Sequence, residues 1–456
     1  MSGSAPTIAE RIPDYEPASA AALPRLLSGI RPRGPLPLDE HVEVHGQLPS
    51  AAGRGRRRAR EHAGMLIEEI ERAGLLGRGG AGFPTATKMR AVAGRRRRAI
   101  VVANGAEGEP ASLKDRTLLE SLPHLVLDGA ILAAEAVGAD ELVVCVCESA
   151  DTGIGSVAGA IEERAASGER SPALRLAPVP SHYVAGQESA LVNYLSGGPA
   201  KPTFTPPMPF EQGVRGRPTL VDNVETLAHV ALIARHGASW FRELGTPSQP
   251  GSALVTLSGA VAHPGVYEIE HGASLSSLVT AAGGATARVR GALLGGYAGS
   301  WVSGQLLNGV ALSNEHLAPH GASLGAGVVL LLSEQACPVA ETARLARWLA
   351  DQSTRQCGPC VHGLDALAGT IEELAAGIAG ARVAQRIDQL ASLVARRGAC
   401  GHPDGALRPI LSAVQVFQAE FADHARHGPC AACARPVELP LPERPVSDAS
   451  NREARR

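Results

Sequence analysis

The chain has 456 residues, 45% of them hydrophobic, and a formal net charge of −2. That length suits about three domains at ~100–200 residues each, and the near-neutral charge gives no bulk electrostatic case for nucleic acid or an anionic membrane surface. No apolar run reaches the ~18 residues of a membrane-crossing helix, no apolar leader core opens the chain, and eight cysteines without a leader point to a reducing, cytoplasmic setting where clustered thiols are more often ligands than disulfides.

Residues 1–60 are rich in Pro, Ala, Gly and Arg and read as an extended N-terminal arm. The runs Arg54–Arg60 and Arg95–Arg98 read as solvated faces or partner-docking patches. His62–Gly74 has helical spacing, with Met65, Leu66, Ile67 and Ile70 apolar and Gly74 as its stop. Then comes Gly77-Arg78-Gly79-Gly80-Ala81-Gly82-Phe83-Pro84, leading to Lys88. Four glycines in six residues leave backbone with little side-chain cover, able to approach a planar ring or a phosphate and to present its N–H groups. A strand pattern at Ile100–Ala103 runs into Asn104-Gly105-Ala106-Glu107-Gly108-Glu109-Pro110, followed by Lys114-Asp115-Arg116.

From residue 100 to about 235 strand and helix signals alternate, which predicts an α/β layer spanning residues 61–240 as a domain. Glu141–Cys147 and Leu174–Pro178 read as strands, with Cys145 and Cys147 as small buried hydrophobes. Helices are expected at Arg116–Val137, Ile154–Ala166 and Gln187–Leu195. Two polar blocks follow: Gly186-Gln187-Glu188 at one helix start, and Asp222-Asn223-Val224-Glu225-Thr226 at another. Polar side chains beside a helix start suit a phosphate or a ligand hydroxyl, and the second block also suits a helix cap with a nearby acid. Residues 250–333 form a different unit, with strands at Ala253–Gly259 and after His263-Pro-Gly, a short helix at Ser274–Ala282, and Tyr297 and Trp301 as core. Residues 338–425 carry four segments of helical spacing, Glu341–Ser353, Gly363–Ala376, Arg382–Arg396 and Leu407–Ala425, which predict a small bundle. Residues 426–456 read as a loose tail. Cys357-Gly-Pro-Cys360 and Cys400 fall in loops between these helices, a spacing that suits an iron–sulfur cluster or zinc. Cys337 is expected to be buried and His362 to lie on the surface.

Taken together, these blocks resemble the flavin- and NADH-binding subunit of respiratory complex I and its counterparts in NAD-linked hydrogenases and formate dehydrogenases, over roughly residues 62–423. The resemblance implies an α/β Rossmann-like flavin/nucleotide domain, then a β-grasp (ubiquitin-like, SLBB) domain, then a C-terminal four-helix bundle carrying an iron–sulfur site. It implies FMN, NADH and a [4Fe–4S] cluster as cofactors. Gly79, Gly80, Gly82 and Lys88 would line the flavin, with Asn104, Glu107, Gly186, Glu188, Asn223 and Thr226. Phe83, Glu109 and Glu188 would meet the nicotinamide nucleotide. Cys357, Cys360 and Cys400 fall on three cluster ligands, and Thr354 stands where the family has a fourth cysteine. Three readings follow for that position: a hydroxyl or solvent at an open iron, a thiolate from Cys430-Ala-Ala-Cys433 folding back, or loss of the cluster or its replacement by zinc. A straight last helix would end ~27 Å from Cys400, within reach of Cys433 rather than Cys430.

The activity implied is a flavin-dependent NAD(P)H dehydrogenase that feeds a ferredoxin-like or membrane-bound redox partner, with the chain itself peripheral to any membrane. Flavin is the converter such a task needs, because nicotinamide moves two electrons and iron–sulfur centres one. Ala106, Gln187 and Met208 also depart from the family's usual Asp, Glu and adenine-stacking Phe. Those departures leave a second reading, a relay or docking paralogue that no longer binds nucleotide. A third is a ligand-binding module built on the β-grasp domain.

Overall fold

The computed structural model describes residues 23–50, 56–168, 171–380 and 382–442. The first domain is built on four parallel strands, β1 (Ala99–Gly105), β2 (Ala139–Cys147), β3 (Ala173–Val179) and β4 (Thr219–Asn223), in the order β3-β2-β1-β4. β1 is apolar on both faces, and both are covered, as a central parallel strand requires. Val101 and Ala103 pack with the Pro123–Val137 and Val224–Phe241 helices. Ile100 and Val102 pack on the other side with Val143, Leu191 and Val214. Cys145 and Cys147 are buried on β2. The chain leaves β1 toward β2 on one side, while β4 arrives on the other. This reversal opens a crevice outside the C-terminal ends of β1 and β4, where open α/β sheets bind their ligands. Asn104 and Asn223 are register partners at that point.

The second domain has five strands, β5 (Ser252–Gly259), β6 (Gly265–Glu270), β7 (Val289–Leu294), β8 (Ser300–Ser303) and β9 (Val328–Ser333), in the order β6-β5-β9-β7-β8. The central β5–β9 pair is parallel and its neighbours are antiparallel, with the Leu275–Ala281 helix crossing the sheet, a β-grasp arrangement. Ser274 caps that helix by accepting the Ser277 N–H at 3.0 Å. Tyr297 and Trp301 are buried core residues.

The third domain is helical: Pro338–Asp351, Asp365–Ala375, Val383–Val394, His402–Val416 and Gln418–His427. The second helix is preceded by a wide turn over Pro359–Leu364. The expected single last helix is broken at Phe417 (φ −108°, ψ 34°). The ring of Phe417 is buried edge-on against Trp301 of β8, their centroids 5.4 Å apart, and this packing holds the break.

Other segments also depart from the sequence expectation. The expected Arg116–Val137 helix is two, Lys114–Ser121 and Pro123–Val137, bent by 97° where Pro123 opens the second. Residues 56–60 of the expected arm open the Arg56–Ala73 helix. The N-terminal arm is not extended throughout: Leu38–His45 is helical, and His41 is buried with its Nε2 2.7 Å from Asp128 Oδ2. Upstream, the N–H groups of Arg25, Leu26 and Leu27 all donate to the buried Glu268 carboxylate of β6, at 2.8, 2.9 and 3.2 Å. Two buried carboxylates that need partners thus order residues the composition left without structure. The tail is not loose where it is described: Leu439 is buried, the Glu438 N–H donates to Glu341 Oε1 at 2.6 Å, and Glu438 Oε2 accepts the Ser333 N–H at 2.8 Å. Residues 1–22 and 51–55 of the expected arm, with Arg54 of its arginine run, and 443–456 of the expected tail lie outside the described residues.

Candidate functional site

The glycine loop is closed at its base by the Gly77 N–H donating to the Phe83 carbonyl at 2.9 Å. Within it Gly80 has φ +105°, a region that L side chains rarely adopt. The Arg78 N–H donates to Thr226 Oγ1 at 2.8 Å, so a fully buried threonine on the helix after β4 holds the loop in place. The loop faces a cleft of about 800 Å³ at the β1/β4 crevice. Gly79, Gly80, Asn104, Glu107, Glu109, Gly186 and Asn223 all line it. The 104–110 segment lies directly on 182–187: a Cβ at Gly186 would come 2.4 Å from the Ala106 carbonyl oxygen, and one at Gly108 would come 2.8 Å from that of Tyr183.

The polar residues of the cleft hold one another. Asn104 Nδ2 donates to the Gly186 carbonyl at 2.8 Å. Asn223 Oδ1 accepts the Glu225 N–H at 3.0 Å as a helix cap, and its Nδ2 donates to Asp115 at 2.7 Å. Glu107 accepts the N–H groups of Asp115 and Arg116 at 3.2 and 3.0 Å, which places its carboxylate at the start of the Lys114–Ser121 helix. Burial and the nearby Asp115 carboxylate raise its pKa, against the opposing pull of Lys114. Glu109 is also buried, and burial pushes it up to about 7.

Other expected site residues lie outside this cleft lining. Gly82 borders a smaller adjoining cavity, and Phe83 is half exposed. Lys88 pairs with Glu188 at 3.2 Å and Asp222 at 3.6 Å. Burial disfavours the lysine's charge, but the two carboxylates outweigh it and raise its pKa. Burial pushes Asp222 up to about 6. Gln187 caps its helix, its Oε1 accepting the Ala190 N–H at 3.1 Å, so the amide at this position serves the backbone. Met208 is exposed.

The structure adds residues to which sequence reasoning gave no role. Lys114 lines the cleft with Nζ 2.6 Å from Asp115 and 3.0 Å from Glu225; its charge was visible in the sequence, its burial was not. Gly295, Gly325 and Ala326 form a wall from the β-grasp domain, and His402, Gly405 and Arg408 one from the helical domain. These come from distant segments and carried no local signal.

Cys400 lines the same cleft. Its thiol and that of Cys357 lie close enough to Cys360 to act on it electrostatically, and Ser353 hydrogen-bonds Cys360. Cys360 is buried at the wide turn, a backbone irregularity common at functional sites. Thr354 points its hydroxyl elsewhere, donating to Gln356 Oε1 at 2.8 Å. His362 is exposed. The tail cysteines do not join this set. Cys433 Sγ lies 3.4 Å from Cys337 Sγ, so the expectation that Cys433 completes the cluster is overturned. The helix is interrupted at Phe417, so a straight-helix reach no longer applies.

The residues present fit the implied groups. The cleft lies in the range of small-molecule sites, ~300–1,000 Å³, and one wall is bare glycine backbone where a ring could lie. The convergent soft thiols of Cys357, Cys360 and Cys400 suit iron–sulfur ligation.

Comparison with known proteins agrees. Residues 70–232 match the Nuo51 FMN-binding domain, residues 254–295 the SLBB domain, and residues 340–424 the NADH-ubiquinone oxidoreductase-F iron-sulfur binding region. The chain is 31% identical over 399 residues to the NADH-quinone oxidoreductase F 2 subunit of Rhizobium meliloti, covering 83% of this chain and 94% of that one. It is 30% identical over 381 residues to the NADH-quinone oxidoreductase F subunit of Mycobacterium bovis, covering 80% and 85%. Among solved structures it is similar to a chain of an NAD+-reducing [NiFe]-hydrogenase in the H2-reduced state, with a TM-score of 0.76 and 34% identity. That match covers 81% of this chain and 64% of the solved one, so the chain spans somewhat under two thirds of it. The chain belongs to the family of NADH-quinone oxidoreductase F subunits.

Proposed function

We propose that this chain is an NADH dehydrogenase module that passes electrons from NADH by way of FMN to a [4Fe–4S] cluster, and on to a redox partner. A bound FMN would supply the conversion from one hydride, two electrons taken together, to single electrons, and a bound cluster would carry those one at a time. One observation carries the reading: the glycine loop at Gly79–Gly80 and the cluster thiol of Cys400 line the same cleft. Donor and acceptor groups held there would share one protected space.

In this reading each residue binds, orients or holds charge. The backbone at Gly79 and Gly80 forms the wall on which a planar ring lies, and Gly80 keeps that wall free of a side chain. Asn104 and Asn223, already fixed by backbone and capping bonds, present amides at the crevice between β1 and β4. Buried Lys114 offers a cation beside the cleft for an anionic part of the ligand, with its charge sustained by Asp115 and Glu225. Glu109 holds a carboxyl at the cleft wall where a nucleotide would approach. Lys88, Glu188, Phe83 and Gly82 support the loop from outside the cleft lining, and Thr226 pins it from beneath. Cys357, Cys360 and Cys400 supply three thiolates, and the fourth iron is left to solvent or to a neighbouring hydroxyl.

The partner is a redox protein, and we assign it ferredoxin-like or membrane-attached chemistry. No single helix among the described residues is long and apolar enough to cross a membrane, so attachment would run through that partner. The test is anaerobic purification followed by flavin and iron analysis. Yellow protein whose flavin absorbance bleaches on adding NADH supports the proposal. Colourless protein that takes up no FMN on reconstitution sinks it and favours the docking reading.

A further inference from the structure

The helical domain brings a second set of soft ligands together, apart from the three cluster cysteines. Cys337 lies at the start of the Pro338–Asp351 helix, His424 in the last turn of Gln418–His427, and Cys430 and Cys433 in the returning tail. One ligand atom from each, three Sγ and one imidazole nitrogen, all lie within 4.8 Å of one another. Cys433 Sγ is 3.4 Å from Cys337 Sγ and 3.9 Å from Cys430 Sγ. His424 Nε2 is 3.5 Å from Cys337 Sγ and 3.9 Å from Cys433 Sγ. A tetrahedral zinc ion with Zn–S of ~2.3 Å and Zn–N of ~2.0–2.1 Å has S···S edges of about 3.8 Å and S···N edges of about 3.5 Å. These four spacings lie within about 0.4 Å of such edges.

Other uses of these thiols fit less well. A disulfide needs its sulfurs ~2.05 Å apart, well short of the closest pair here. An iron–sulfur cluster puts iron and sulfide between its thiolates and so needs them spread wider. The imidazole is also poised as a ligand. Nε2 lies beside the sulfurs of Cys337 and Cys433, where a neutral histidine would present its lone pair to a shared metal.

We propose that Cys337, His424, Cys430 and Cys433 hold one structural zinc ion. All four positions are filled by protein, which leaves no open site for chemistry. Binding would displace the thiol protons to solvent with no change of oxidation state. The ion would join segments far apart in the chain: the start of the first bundle helix just after β9, the end of the last helix, and the tail. Beyond the site, Glu438 continues the tie by bonding Ser333 at the end of β9 and Glu341 in the first bundle helix. The zinc would therefore fasten the tail to the two ends of the cluster-bearing bundle, and the fastened tail carries Glu438 to the end of β9.

The test uses the full-length protein, expressed with zinc and iron supplied, and counts both metals per chain. Wild type should hold about one zinc, as a single closed site predicts. The C430S/C433S double variant should lose the zinc and keep its iron, and His424→Cys should keep the zinc. Cobalt exchanged into wild type should give the absorption of a tetrahedral thiolate-bound ion, which decides the matter if the double variant does not fold. The proposal is overturned by wild type without stoichiometric zinc or cobalt, by iron at this site, by zinc that survives in the folded double variant, or by a Cys337–Cys433 disulfide found in the intact protein.

Discussion

Glu109 accepts the backbone N–H of Tyr297 at 2.7 Å across the junction of the α/β and β-grasp domains. Its other oxygen accepts the Ala111 N–H at 3.3 Å. The contact is close: a Cβ at Gly296 would stand 2.6 Å from Glu109 Oε2. Burial raises the carboxyl to about 7, while the two N–H groups hold it down and the nearby Glu107 adds to the rise. The folded state therefore binds this proton more tightly than the unfolded state does. Stability attributable to Glu109 is full below about 4.5, the ordinary value, and falls as pH rises toward about 7. Glu109→Gln should remove that fall. Thermal unfolding of both proteins across this window is the check, and parallel Tm–pH curves would refute the assignment.

Gly80→Val should strip FMN from the protein. The substitution forces a β-branched residue to φ +105°, at a cost of about 1–3 kcal/mol, and adds a side chain at the cleft wall. Flavin per chain after purification is the readout. A folded variant with full flavin would mean that the ring lies elsewhere.

Lys88→Met should destabilise the fold by about 3 kcal/mol at neutral to alkaline pH, because it leaves the buried Asp222 carboxylate without its cation. Burial already holds Asp222 at about 6, so acid should relieve the loss as the carboxyl takes up a proton. Urea unfolding at acid and alkaline pH measures this. An equal loss at both pH values would place the effect in lost packing rather than lost charge.

Thr354→Cys should strengthen the cluster. The wild-type hydroxyl is turned to Gln356, and the proposed ligands are the three cysteines Cys357, Cys360 and Cys400. A fourth thiolate should raise iron retained under a chelator several-fold. Unchanged iron loss and an unchanged cluster spectrum would show that position 354 does not face the cluster.

The local signals in the chain were dependable where a few neighbouring residues determine geometry. Strands β1 and β2 were legible because continuous apolar runs suit a strand covered on both faces. The glycine loop was legible because bare backbone at Gly79, Gly80 and Gly82 is itself the feature. Cys357 and Cys360 were legible because a two-residue spacing places both sulfurs at one turn. Gln187 looked like a lost acid, and the structure shows a helix cap; both readings concern the same few residues, and only the fold chose between them.

What tertiary structure alone decided lies between segments far apart in sequence. The last helical pattern runs on without a break signal, yet the chain turns at Phe417 because its ring is buried against Trp301, more than a hundred residues upstream. Cys433 meets Cys337 across 96 residues, and His424 meets Cys337 across 87. Glu109 finds Tyr297 across 188. Residue types and short spacings show which chemistry a chain can hold, because bond geometry constrains neighbours. Which distant groups share a site depends on how whole domains bury their surfaces against one another, and no local rule contains that distance.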